Sequence, residues 1–234
     1  MMWTSERYQN YIEELKKNID TKYRAFTEKI VSTQYPIIGI RMPILKQEAK
    51  KIAQGDFVSF LECSSPCTYE EVLLKGLVIA RIKDLQTYCF YFSSFLKQID
   101  NWAVCDTFVS SSKIIASNKE FFFQEGCKLI QSSKPFVARV GYVIFLTYCN
   151  CDTYPKKIFP LITKYQSDSY YVAMAIAWLL SVLLVDFYDE VKQYLEEGNV
   201  SCFILQKTIS KARDSYRISK EKKEELLVLK KRLI

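Results

Sequence analysis

Histidine is absent from all 234 residues. That removes the usual general base of serine and cysteine nucleophile systems and one half of every mixed Cys/His zinc site. The eight cysteines do not make up the loss. Cys63 and Cys67 are near neighbours, as are Cys149 and Cys151, but neither is a CxxC pair, so no metal site is expected. Glycine is scarce, with six residues, and neither GxxxxGK[ST] nor GxGxxG occurs. A glycine loop cradling phosphates is therefore not indicated, and no cofactor is implied. Few glycines and no sustained polar/apolar alternation disfavour a strand-rich fold. Long hydrophobic runs are missing too. The longest, residues 172–185, spans 14 residues and contains Ser181, short of the ~20 a bilayer crossing needs. It reads as a buried helix, with no membrane partner. No Pro/Gly/Ser-rich linker or low-complexity tract divides the chain, so one domain over residues 1–234 is expected. The start of the chain is polar from Thr4 onward, without the pattern of a signal peptide, and a cytoplasmic location follows as the expectation. Cys89, Cys105, Cys127 and Cys202 fall in apolar helical runs, where reduced cysteine behaves as a small buried hydrophobe.

What is present is a repeated helix–turn–helix rhythm. Starts of long apolar helices are expected at Tyr69, Trp102, Pro135, Tyr170 and Ser201, in steps of 33, 33, 35 and 31 residues. Thr68 and Glu71 form a capping-box pattern before the first, Asp100 and Asn101 precede the second, proline opens the third, and Asp168 and Ser169 precede the fourth. Shorter amphipathic stretches fill the gaps at 85–98, 119–131, 154–165 and 188–197. The period is that of a two-helix repeat, which cannot bury its apolar face alone and stacks on its neighbours.

Three residues stand out within these apolar runs: Asp106, Arg139 and Trp178. Trp102 and Asp106 are four apart and share a helix face, and Asp106 and Arg139 lie one repeat apart. Flanked by Val104, Cys105, Phe108 and Val109, the Asp106 carboxylate either faces a groove or is paired with a cation, and Arg139 is the obvious partner for a structural ion pair. Taken alone, Trp102 and Trp178 each read as a core aromatic, because large aromatics dominate packing. Net charge is +7, and residues 201–234 hold ten cations against four acids. A basic stripe of this kind is either a solvated helix face or a footprint for a polyanion. Lys207, Lys211 and Arg213 are the candidates for phosphate contact, since they precede an alternating Lys/Glu tail that reads as an ordinary exposed helix.

Ile99-Asp100-Asn101-Trp102-Ala103-Val104-Cys105-Asp106, Ala138-Arg139, the run from Tyr170-Tyr171-Val172 to Ile176-Ala177-Trp178, and Gln206-Lys207-Thr208-Ile209-Ser210-Lys211-Ala212-Arg213 together resemble the AlkD-like DNA alkylation repair proteins. Tyr35-Pro36-Ile37-Ile38-Gly39-Ile40-Arg41-Met42-Pro43 fits the same pattern. The resemblance implies an all-α, HEAT-like repeat solenoid of stacked antiparallel helix pairs whose concave face holds duplex DNA, and a monomer. It also implies a monofunctional glycosylase that removes cationic N3- or N7-alkylated purines. Asp106 would stabilise the sugar oxocarbenium ion, Trp102 and Trp178 would face the cationic nucleotide, and Arg139 would hold a backbone phosphate. Active members carry an arginine three residues after the second tryptophan and a lysine eight after the arginine. Those positions are Ser181 and Thr147 here. The alternative is therefore a non-catalytic HEAT-like scaffold that binds nucleic acid or a protein through the same groove.

Overall fold

The structure, a computed structural model, describes residues 2–151 and 154–233. Among them there are fifteen α-helices and no strand, only an isolated bridge between Ile19 and Ile40. The chain is thus all-α, and it forms two compact units, 1–117 and 118–234.

The first unit holds α1 (Ser5–Lys16), α2 (Thr21–Ile30), α3 (Met42–Gln54), α4 (Phe57–Cys63), α5 (Tyr69–Ile79), α6 (Leu85–Phe95), α7 (Trp102–Ser111) and the single turn α8 (Ile114–Ser117). The expected starts of α5 and α7 are met to the residue. Thr68 caps α5 by accepting from the Glu71 amide at 3.4 Å, and Asn101 caps α7 by accepting from the Val104 amide at 3.0 Å. Helix α3 packs on α5, and α5 on α7. A Cβ on Gly76 of α5 would lie 2.7 Å from the Phe95 ring, which explains glycine at this close approach.

Residues 31–41 form an irregular link between α2 and α3, and two carboxylates from later in the chain hold them. Buried Glu70 accepts from the amides of Ile38 (3.0 Å), Gly39 (2.6 Å) and Ile40 (3.3 Å). Burial pushes the Glu70 carboxyl above the ordinary carboxylate range, against the pull of these donors. Asp100 accepts from the Thr33 hydroxyl at 2.8 Å and the Gln34 amide at 2.7 Å. Gly39 has φ +94°, and a Cβ there would stand 2.6 Å from the Asp20 carbonyl oxygen and 2.7 Å from Arg24 Cβ. Only glycine suits that backbone.

The second unit holds α9 (Lys119–Leu129), α10 (Pro135–Tyr148), α11 (Tyr154–Tyr165), α12 (Tyr170–Asp186), α13 (Tyr188–Glu196), α14 (Cys202–Asp214) and α15 (Lys220–Leu233). The starts expected at Pro135 and Tyr170 are met, and the one expected at Ser201 falls one residue later because Ser201 is the cap, accepting from the Ile204 amide. Helix α10 packs on α9 and α12, and α12 on α13 and α14. With neighbours on three sides, α12 is buried nearly all round, as its unbroken apolar sequence requires. Each fully buried Ile or Leu there contributes roughly 1.5–3 kcal/mol relative to exposure. The helix pairs within each unit stack in sequence, as in a solenoid-like repeat.

No helix among the described residues is long and apolar enough to cross a membrane. No disulfide joins the cysteines. Cys105 is buried and Cys89 and Cys127 half-buried, but Cys202, expected inside an apolar run, is exposed. It is the first residue of α14, ahead of the turn where packing on α12 begins.

Candidate functional site

Helix α7 places Trp102 and Asp106 one turn apart, both half-buried amid the fully buried Val104, Cys105, Phe108 and Val109. The helix buries one side, and the tryptophan and the carboxylate border it. The Trp102 ring is fixed in orientation, since its indole N–H donates to the Ile30 carbonyl at 3.0 Å. Ile30 ends α2, so the C-terminal end of α2 reaches this face of α7. The Asp100 contacts to Thr33 and Gln34 clamp the same junction two residues before Trp102.

This neighbourhood was not legible in the sequence. Phe26 and Ile30, one turn apart on α2, are exposed large hydrophobics. Ile30 accepts the Trp102 hydrogen bond, so an apolar strip of α2 is tied to the candidate site. An i, i+4 apolar pair on an otherwise charged helix was the available signal.

In the second unit, Trp178 is half-buried on α12, and Lys211 of α14 holds its Nζ 5.9 Å from the ring centroid. One turn earlier on α14, Lys207 Nζ lies 5.5 Å from the Phe203 ring. Lys207 and Lys211 thus share a face with Phe203. Arg213, two residues further and about 200° round the helix, is exposed off that line. The structure brings Trp178 and Lys211 together, and places Lys207 in line with Lys211.

Arg139 is 5% exposed, and its Nη1 donates to the Tyr171 carbonyl at 2.7 Å, linking α10 to the start of α12. Expected at a phosphate, the guanidinium offers little surface to one. A buried arginine holds its place by charge-assisted hydrogen bonding, and this one does so at a backbone carbonyl. Ser181 is also buried, its hydroxyl donating to the Trp178 carbonyl at 2.7 Å. Thr147 is half-buried on α10.

Among the described residues no group of three or more Cys, Asp or Glu side chains is arranged to hold a metal ion. The cysteines are also poor nucleophiles where their environment shifts them: burial pushes the Cys149 thiol up to about 12 and raises that of Cys127. The chemistry open to these residues is electrostatic. A carboxylate and aromatic faces suit a developing or resident positive charge, and lysines suit phosphates.

A family model described as DNA alkylation repair enzyme matches residues 11–217. No curated protein matches the chain significantly.

Proposed function

Because the chain belongs to the DNA alkylation repair enzyme family, we propose that it is a monofunctional DNA glycosylase acting on cationic N3- or N7-alkylated purines in duplex DNA. An alkylated purine of this kind already carries the positive charge that makes it a good leaving group, so little acid catalysis is needed. The chemical demand falls on the sugar, which becomes an oxocarbenium-like cation as the glycosidic bond lengthens. Asp106 supplies a carboxylate to stabilise that cation and to position the attacking water. Trp102 offers an aromatic face beside it, held by the Ile30 carbonyl, and Trp178 offers a second to the cationic nucleotide. Lys207, Lys211 and Arg213 take backbone phosphates. Arg139, with its guanidinium engaged at the Tyr171 carbonyl, secures the α10–α12 junction and gives a phosphate at most its edge.

The observation that carries the proposal is the Asp106 carboxylate one turn from an indole of fixed orientation, in a chain whose family match runs through it. That match also crosses from one compact unit to the other, and the proposal treats residues 1–234 as one functional domain, acting as a monomer in the cytoplasm. The test is release of N7-methylguanine from methylated duplex DNA. A second reading, a non-catalytic scaffold using the same residues to hold DNA or a protein, is favoured by Ser181 and Thr147, the two positions where family cations are missing. Binding of methylated duplex without base release would select it.

A further inference from the structure

Across the starts of three helices runs a row of rings to which the function above assigns nothing. Phe136 of α10 lies 5.0 Å from Tyr171 of α12, Tyr171 lies 5.4 Å from Tyr170, and Tyr170 lies 5.9 Å from Phe203 of α14. The row ends at Lys207, over the Phe203 ring. Its inner members are half-buried and do structural work, Tyr171 also through the carbonyl that receives Arg139. Its outer members are not. Tyr170 is 55% exposed and Phe203 37% exposed.

Two adjacent exposed rings offer flat aromatic faces, and what distinguishes them is the cation beside them and the polar rim around them. Ser167, Asp168 and Ser169 precede Tyr170, Ser201 and Cys202 precede Phe203, and all but half-buried Ser169 are exposed. An aliphatic protein segment would need apolar neighbours that this rim does not provide. A flat π-system carrying an anionic group matches it: the base against the rings, and its phosphate within reach of the Lys207 ammonium. Aromatic faces beside a cation are how unpaired nucleotides are held without regard to sequence. Bases paired inside a duplex have both faces covered by their neighbours, so only an unpaired base has a face free to stack on the rings. We propose that Tyr170, Phe203 and Lys207 form a platform for an unpaired nucleotide, one that is extruded or bulged from the duplex. From the proposed function the inference takes only that DNA is the partner, and base excision plays no part in it.

The experiment compares binding of the full chain to a fully paired duplex and to the same duplex with one bulged 2-aminopurine. Wild type is expected to bind the bulged duplex about ten-fold more tightly and to quench its fluorescence by stacking. Tyr170→Ala/Phe203→Ala should abolish preference and quenching while leaving paired-duplex affinity in place. Tyr170→Phe should keep both, since the ring remains. Equal wild-type affinity for the two duplexes would overturn the platform and leave the proposed function intact, as would a double variant that still prefers and quenches the bulge. Loss of self-association in the double variant, without any bulge preference in wild type, would give the rings to a second copy of the chain and also overturn it. No binding of either duplex would overturn the proposed function together with this inference.

Discussion

The two units divide charge unevenly. Residues 1–117 carry 15 Lys/Arg against 13 Asp/Glu, a net +2, while residues 118–234 carry 18 against 13, a net +5. In the first, carboxylates do the internal work: Glu70 and Asp100 hold the irregular segment 31–41, and Glu71 receives the Tyr8 hydroxyl at 2.9 Å. In the second, two lysines of the basic helix α14 lie over aromatic rings, Lys207 on Phe203 and Lys211 on Trp178, as Arg7 does on Trp3 and Arg41 on Tyr23 in the first. A reaction that develops positive charge on a sugar held in a polyanion needs a negative group at the sugar and positive groups at the phosphates. The proposed division places the chemistry, Asp106 with Trp102, in the unit that is nearly neutral, and the grip on DNA in the unit that is basic.

The largest effect should come from Asp106→Asn, which keeps shape and removes the charge. Single-turnover release of an alkylated base should fall by roughly 10² to 10³, by analogy with the loss of one electrostatic stabiliser, with DNA affinity retained or raised because a group that repels phosphate is gone. Parallel loss of affinity and thermal stability would instead make Asp106 a structural residue and end the division of labour.

Neutralising Lys207, Lys211 and Arg213 together should act in the opposite sense, on binding and not on melting temperature. Three lost phosphate contacts remove about 2.7 from the salt slope, so between 50 and 200 mM salt the wild type should lose roughly 40-fold more affinity than the triple variant does. An unchanged slope would show that these cations face solvent only. If Arg213 alone proved dispensable, its place off the Lys207–Lys211 line would be the reason.

Within the fold, Gly39→Ala should destabilise the first unit by about 1–3 kcal/mol, since it combines a left-handed backbone with a Cβ 2.6 Å from a carbonyl oxygen that cannot swing aside. A thermal melt indistinguishable from wild type would mean that segment 31–41 is not anchored as described. The smallest effect concerns pH. Asp20 caps α2 by accepting from the Tyr23 amide and bonds Arg41 at 2.8 Å, and both hold its carboxyl below the ordinary range. Its stabilising contribution is present above the ordinary carboxylate range and is lost as pH falls through its own lowered value. Asp20→Asn should therefore melt slightly lower than wild type at neutral pH, with the gap closing in acid. A gap independent of pH would contradict the assignment.

The sequence disclosed the repeats well and the N-terminal third poorly, for physical reasons. From Tyr69 onward each repeat pairs a polar cap or proline with a dense apolar run, so helix starts are marked twice, and the family residues ride on those helices. Helices α1 to α3 are rich in Lys and Glu, and the non-helical segment 31–41 is held by Glu70 and Asp100, some 30 to 67 residues later in the chain, which satisfy its backbone and side chains. No local pattern announces such a contact. The same limit hid the approach of Ile30 to Trp102. Arg139 stands out in the sequence as a cation in an apolar run, but its burial depends on the Tyr171 carbonyl, which only the packing of α10 on α12 reveals. Tyr170 was recognised as a helix start, and its exposed ring beside Phe203 became visible only once α12 and α14 were side by side.

The central claim, that this chain cleaves the glycosidic bond of a cationic purine, is tested most directly by incubating excess protein with duplex DNA containing a single N7-methylguanine and following base release in one turnover. Release of the free base is expected, leaving an abasic site, at a rate that Asp106→Asn lowers by at least about a hundred-fold. Tight binding of the methylated duplex with no release above the spontaneous rate would contradict it.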